Sequence, residues 1–287
     1  MYNFKKELSH MIKQLEVTVL VNDRVDKAGF LAEHGFSCWV DTGENKFLFD
    51  TGGGLVLDHN ARLLDIRLDH ADAVILSHGH DDHSGGLSSV FRRNPDVTVG
   101  VHPHAFTPRF IREEEGVRAN SFSRYTSSSI AKECGRLVLT ESPTELFPGV
   151  SVTGTTPREY NTEHLNAGYY LDASGTLSDP FTDDQAAFIE TEAGTVVLVG
   201  CAHSGLANIM EHVADLTGRR RIHAIIGGLH LSEASGDTMD NVLDMLVEFD
   251  VKMLGMAHCT GVNAETVFRT KFPSRCAGVS VGSRIQI

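Results

Sequence analysis

The sequence predicts an α/β fold in which two β-sheets are covered by helices. Three observations carry that reading. The first half is rich in short apolar and β-branched runs joined by tight turns, beginning with Val17–Val21. The last third alternates strand and helix patterns, the sequence form of parallel pairing. No Pro/Ser-rich linker or internal repeat divides the 287 residues, so residues 1–287 are read as one domain.

The elements follow in order. Residues 2–15 read as a short amphipathic helix or a mobile leader, and Val17–Val21 as a strand. Ser37–Thr42 and Lys46–Asp50 flank Gly43-Glu44-Asn45 and read as a hairpin. Thr51-Gly52-Gly53-Gly54 breaks the second strand sharply. A helix is expected over Asn60–Leu68, then strands at Ala73–Ser77 and Thr98–His102. Residues 106–133 show little periodicity and read as an irregular insertion or lid. Strands resume at Leu137–Thr140, Val150–Gly154, Ala187–Thr191 and Thr195–Gly200. Helix 204–217, strand 222–227, helix 237–249 and strand 251–257 complete the series.

Composition narrows the function classes. Hydrophobic residues make up 41% and charged residues 22%, an ordinary globular balance. No apolar run approaches the roughly 18 residues of a membrane span. The 38 acidic against 25 basic residues give a net charge of −13, which disfavours a nucleic-acid platform. The five cysteines are Cys38, Cys134, Cys201, Cys259 and Cys276, with no C-x-x-C pair. That pattern suits a reducing compartment. Met1–Val21 does not read as a secretory signal, so a cytoplasmic location is expected. The expected partner is a small-molecule substrate, with no membrane partner and with homo-oligomerisation left open. Neither a P-loop nor a G-x-S-x-G elbow occurs.

The unusual count is 15 histidines. The densest run is Ser77-His78-Gly79-His80-Asp81-Asp82-His83-Ser84-Gly85-Gly86, directly after a predicted strand. His78 and His80 project to one side of an extended segment. A helix through 78–83 would scatter the donors. The segment therefore reads as a strand end curling into a helix start, with the glycines permitting the turn. Three imidazoles and the Asp82 carboxylate then converge. That donor set suits zinc, one or two ions, with iron or manganese also fitting.

His78-x-His80-x-Asp82-His83 resembles the metal motif of the metallo-β-lactamase superfamily. Phe47-Leu48-Phe49-Asp50-Thr51-Gly52 is similar to that family's strand ending in Asp-x-Gly. The resemblance implies a four-layer αβ/βα sandwich of two mixed β-sheets flanked by helices, with metals at one edge. It also implies that Asp50 supports the metal loop by hydrogen bonds. The sequence departs from the family at two places. Gly200-Cys201-Ala202-His203 stands where Gly-Asp is usual, and Pro180-Phe181-Thr182-Asp183-Asp184-Gln185 stands where Gly-His is usual. The later segments, including Gly227-Gly228-Leu229-His230-Leu231 and His258-Cys259-Thr260-Gly261, resemble the dihydropteroate-synthase-like branch. That branch includes a ribofuranosylaminobenzene phosphate synthase.

The candidate metal ligands are therefore His78, His80, Asp82, His83, His203 and His258. Asp82 and His230 are candidate catalytic groups; His230 could equally be a metal ligand, with packing under the metal loop the alternative. Cys201 is either a thiolate ligand or a small buried residue, and Asp184 is either a ligand or supporting group or a helix-cap or turn residue. His102, His104, Arg109 and Arg112 are candidate substrate contacts, as are Arg118 and Arg124 if residues 106–133 bind an anion. His34 is a candidate to approach the site through its glycine turn. His10, His59, His70, His164, His212 and His223 read as surface or packing residues.

The expected activity is a metal-dependent hydrolase acting on a small anionic, ester or phosphoester substrate. Metal coordination lowers the pKa of water toward about 7 and so makes hydroxide available at neutral pH. The alternatives are a pterin- or aminobenzoate-type synthase and a non-catalytic metal or ligand sensor. A nuclease is disfavoured by the charge.

Overall fold

The computed structural model describes residues 10–120, 125–160 and 167–287. The chain opens with β1 (Glu16–Val21), β2 (Ser37–Asp41) and β3 (Lys46–Phe49), an antiparallel meander with Cys38 opposite Phe49. Helix α1 (Leu57–Leu63) leads to β4 (Ala73–Ile75), then to the one-turn α2 (Asp81–Ser84), α3 (Leu87–Arg93) and β5 (Thr98–Val101). A hairpin of β6 (Phe110–Glu113) and β7 (Gly116–Ala119) and helix α4 (Ser127–Glu133) precede β8 (Arg136–Leu139). Then come β9 (Thr144–Phe147), β10 (Val150–Val152), β11 (Tyr169–Tyr170), β12 (Ala187–Thr191) and β13 (Gly194–Val199). The last third is α5 (Leu206–Thr217), β14 (Ile222–Gly228), α6 (Gly236–Glu248), β15 (Met253–Ala257), α7 (Val262–Lys271), β16 (Cys276–Ala277) and β17 (Arg284–Gln286).

Two mixed seven-stranded sheets result, ordered β17-β1-β2-β3-β4-β5-β8 and β16-β15-β14-β13-β12-β10-β9. Side-chain alternation explains how they stack. Phe47 and Phe49 of β3 meet Val196 and Leu198 of β13 in the core between the sheets. Leu48 turns the other way, onto Leu57 of α1 and Leu87 and Val90 of α3. Val197 and Val199 likewise face Ile209 and Val213 of α5 and Leu246 of α6. Strands buried on both faces read as continuous apolar runs, as these do. The order of layers is helix, sheet, sheet, helix, the αβ/βα sandwich.

The 106–133 segment is more regular than its sequence suggests. β6 and β7 pair antiparallel, and Tyr169–Tyr170 adds a third strand to them. Thr126 and Ser129 form a reciprocal capping box at the start of α4. The hairpin strands are largely exposed, so they lack the apolar alternation that marks a core strand. Arg124 lies outside the described residues, as do His164 and residues 2–9 of the expected helix or mobile leader. The remainder of that leader is extended, with Ile12 buried against β12 and donating to Glu190 O at 2.8 Å. The first helix spans Leu57–Leu63 instead of Asn60–Leu68, ending where Asp65 takes a positive φ of 56°.

At the edge of the sandwich the two sheets nearly touch. A Cβ on Gly200, just past β13, would lie 2.0 Å from Ser77 Oγ and 2.8 Å from Asp50 Oδ2 of the other sheet. Only a residue without a side chain allows that approach. Gly200→Ala is expected to lower stability by about 1–3 kcal/mol. Urea unfolding checks this, and an unchanged midpoint would refute the close-approach reading.

Candidate metal centre

The site grows from the ends of β3, β4, β13, β14 and β15. Asp50, just past β3, takes a positive φ of 58° and has no exposed surface. Its Oδ1 accepts from the Ser77 backbone N–H at 2.7 Å, and its Oδ2 from Ser77 Oγ at 2.7 Å. Oδ2 also lies 2.8 Å from His83 Nδ1. The carboxylate thus ties the start of the histidine loop to its end. Gly79 is needed for close approach, not for turning: a Cβ there would stand 2.1 Å from Ala105 O. Its N–H donates to Asp183 Oδ2 at 2.8 Å. His80 has extended backbone angles and caps α2, so the strand end does curl into a helix start.

Three histidines form one pole. His78, His80 and His203 each offer a donor atom within 4.8 Å of the others. His78 Nε2 lies 2.9 Å from His80 Nδ1, and Ser77 Oγ lies 2.9 Å from His78 Nδ1. The backbone N–H of Ser204, next to His203, donates to Asp184 Oδ2 at 2.7 Å. Asp184 is therefore a buried support for the His203 turn. Burial holds the pKa of all three imidazoles well below the usual histidine value, and neighbouring imidazoles add to this.

Asp82, His83 and His258 form the second pole, again within 4.8 Å of one another. Asp82 Oδ2 lies 3.3 Å from His258 Nε2 and 3.6 Å from His83 Nε2. Burial works against the charge of Asp82, but His83 and His258 outweigh it and hold its pKa well below the carboxylate range. Burial likewise pulls His83 and His258 down. The Asp82 and Asp50 carboxylates raise His83, while Cys259, Asp23 and Asp82 raise His258.

The donor chemistry fits a divalent cation. Neutral imidazoles converge in a buried pocket, where His78 Nε2 and His80 Nδ1 face each other. Nitrogens at about 2.0–2.1 Å from zinc across a tetrahedral angle stand roughly 3.3 Å apart, close to the spacing of the His78–His80 pair. His78, His80 and His203 would hold one ion, and Asp82, His83 and His258 a second. Cys201, buried with Sγ 3.2 Å from His83 Nε2, stands beside both poles.

Several substrate candidates are displaced. Arg109 is only 1% exposed and its guanidinium is spent on Asp179, at 2.6 Å, and on Asp183. It braces the loop instead of meeting a ligand, because a buried guanidinium needs buried carboxylates. Arg112 donates to Gly175 O and lies over the Tyr170 ring. His102 bonds Thr155 Oγ1, and burial pulls its pKa down to about 4. His104 bonds Thr182 Oγ1. None of the four lines the cavity of about 790 Å³ above the histidines. Arg118 does line it, as do His34, His230 and Tyr169.

Sequence reasoning missed Asp23 and Tyr169. Asp23 Oδ1 lies 2.8 Å from His258 Nδ1 and its Oδ2 lies 3.0 Å from His34 Nδ1. Its signal was available: an acid two residues past an apolar strand. Tyr169 stacks on His80 at 5.2 Å, and its two-residue strand has no periodicity to read.

Comparison with known proteins agrees with this geometry. Residues 32–167 match the metallo-β-lactamase superfamily. A relative from Methanocaldococcus jannaschii is 30% identical over 253 residues, 85% of this chain and 86% of its own. The chain belongs to the metallo-β-lactamase superfamily. That relative is named 7,8-dihydropterin-6-methyl-4-(β-D-ribofuranosyl)-aminobenzene-5'-phosphate synthase. A second, uncharacterised protein of the same archaeon is 29% identical over 252 residues, covering 87% of this chain and 92% of its own. A crystal structure described as a metal-dependent hydrolase of the β-lactamase superfamily superposes with a TM-score of 0.79 and 28% identity. It covers 95% of this chain and 99% of its own. The superfamily implies divalent metal binding, and no helix among the described residues is long and apolar enough to cross a membrane.

Two predictions follow from the electrostatics. Asp50→Ala should weaken metal binding about 10–100-fold, the usual effect of removing a ligand's support. Competition with a chromogenic chelator measures it, and unchanged affinity would refute the role of Asp50. The second concerns pH. Protons compete with cations for imidazole. His83 and His258 keep protons to higher pH than His78, His80 and His203. As pH falls, metal should therefore leave the Asp82–His83–His258 pole first. Metal content across a pH series should drop in two steps, the first removed by His258→Ala.

Proposed function

We propose that this superfamily member is a metal-dependent hydrolase of a small anionic, ester or phosphoester substrate. The observation that carries the reading is the convergence of two donor poles at the floor of one cavity. A bound divalent ion would supply Lewis-acid polarisation of a water or substrate oxygen. The chain's own groups do the rest. Asp82 Oδ2 stays ionised and accepts a hydrogen bond from the attacking water, fixing its lone pair toward the substrate. His230 faces the cavity from the end of β14, its ring 4.4 Å from that of His203. Its imidazole passes a proton to the leaving group. Arg118, exposed and shared with Glu113, lines the wall and meets the anionic part of the substrate, a task for which the sequence offered it beside Arg109, Arg112 and Arg124.

A second reading is a synthase that condenses a pterin with an aminobenzene compound. Beside the name of the methanogen relative, one feature of the cavity favours it. Tyr169 and Tyr125 line the wall, and such flat faces suit a fused aromatic ring.

The test begins with elemental analysis of protein purified without added metal, followed by phosphodiester, lactone and thioester panels. Hydrolysis is expected near two ions per chain, with zinc first, and loss on chelation. His78→Ala should cost more than about 100-fold in kcat/KM, since even a supporting residue costs 10–100-fold. Full activity and full metal content in His78→Ala would refute the reading. Pterin condensation without hydrolysis would favour the synthase.

A further inference from the structure

A third group of donors lies outside the two poles. Cys201, His230 and Cys259 also offer ligand atoms within 4.8 Å of one another, and all three line the same cavity. They come from three neighbouring parallel strands, at the ends of β13, β14 and β15. We infer that these residues form a soft, sulfur-rich cation site, suited to zinc or cadmium, beside the imidazole poles.

The backbone is shaped for this grouping. Ala202, His230 and His258 all take positive φ, at 55°, 51° and 45°. Non-glycine residues adopt that region at a cost, and such residues gather at functional sites. The His230 N–H donates to Cys259 Sγ at 3.3 Å, which holds the sulfur over the end of β14. Cys259 Sγ lies 3.6 Å from Cys201 O. A Cβ on Gly228 would fall 2.7 Å from Cys259 Sγ, so the glycine leaves room for the sulfur.

Donor atoms that all lie within 4.8 Å of one another can reach a single ion. With Zn–S bonds of about 2.3 Å, two thiolates across a tetrahedral angle stand roughly 3.8 Å apart. Two thiolates and an imidazole select soft cations over magnesium or manganese. Binding releases the protons of both thiols to solvent. Cys201 also lies beside His78 and His83, so it joins the sulfur pole to the histidine poles. This site stands on its own geometry, but a cation held there would occupy the His230 imidazole, so ligation and the proton transfer proposed above are alternative states of His230.

Cobalt loading of the reduced protein is the test, because thiolate-to-cobalt charge transfer absorbs in the near ultraviolet whatever the activity. The expected result is a band of two-sulfur intensity. It should fall about twofold in Cys259→Ser and in Cys201→Ser, and vanish in the double variant. His78→Ala should leave it intact. A missing band would overturn the inference. So would full intensity in Cys259→Ser with complete loss in Cys201→Ser, which would place Cys201 with His78 and His83 alone. X-ray absorption of the unmutated zinc-loaded protein covers the case of a variant that does not fold. Two sulfur neighbours per chain at about 2.3 Å support the site, and one or none refutes it.

Discussion

The site depends on one buried carboxylate at the seam between two sheets. Asp50 has no contact with water and must satisfy its charge inside the protein. It does so with the Ser77 N–H, the Ser77 hydroxyl and the His83 imidazole. Those three groups belong to the start and the end of the histidine loop. Removing the carboxylate would leave buried donors without an acceptor, which costs about 1–3 kcal/mol for each such group. The three bonds therefore favour this arrangement of the loop, in which its imidazoles stand close together.

The second sheet completes that arrangement through backbone more than side chain. Gly200 lets β13 come up against Asp50 and Ser77. His203, His230 and His258 then follow from the ends of adjacent parallel strands. Parallel strands end on the same side of a sheet, so residues distant in sequence meet there without long loops. Asp184 fixes the His203 turn, and Asp183 ties the Gly79 N–H to Arg109. The same short acidic segment thus positions donors from both sheets.

Electrostatics divides the centre. The His78–His80–His203 pole is enclosed and kept neutral by burial. The Asp82–His83–His258 pole is rich in carboxylate, with Asp23 behind His258 and Asp50 behind His83. Two sites with different proton affinities result from one set of residue types. The cysteines add a softer face toward β14 and β15. The cavity lies above these donors, with Arg118 and Tyr169 on its walls.

The sequence by itself determined the local chemistry and most of the sheet. His78-x-His80-x-Asp82-His83 was legible because its donors lie within six residues, and short spacing constrains geometry through the backbone alone. The strands were legible because burial on both faces leaves a continuous apolar run. Tertiary structure decided the rest. Arg109 and Arg112 read as anion binders from charge, yet burial turned the first toward Asp179 and Asp183 and packing laid the second on Tyr170. Asp23 and Tyr169 carry no motif, since each joins the site across long sequence separations. The exposed hairpin of β6 and β7 has no core-facing alternation to reveal it. What a short segment does to itself can be read in one dimension. Which surface it meets depends on how the two sheets close, and that is set by contacts no local pattern contains.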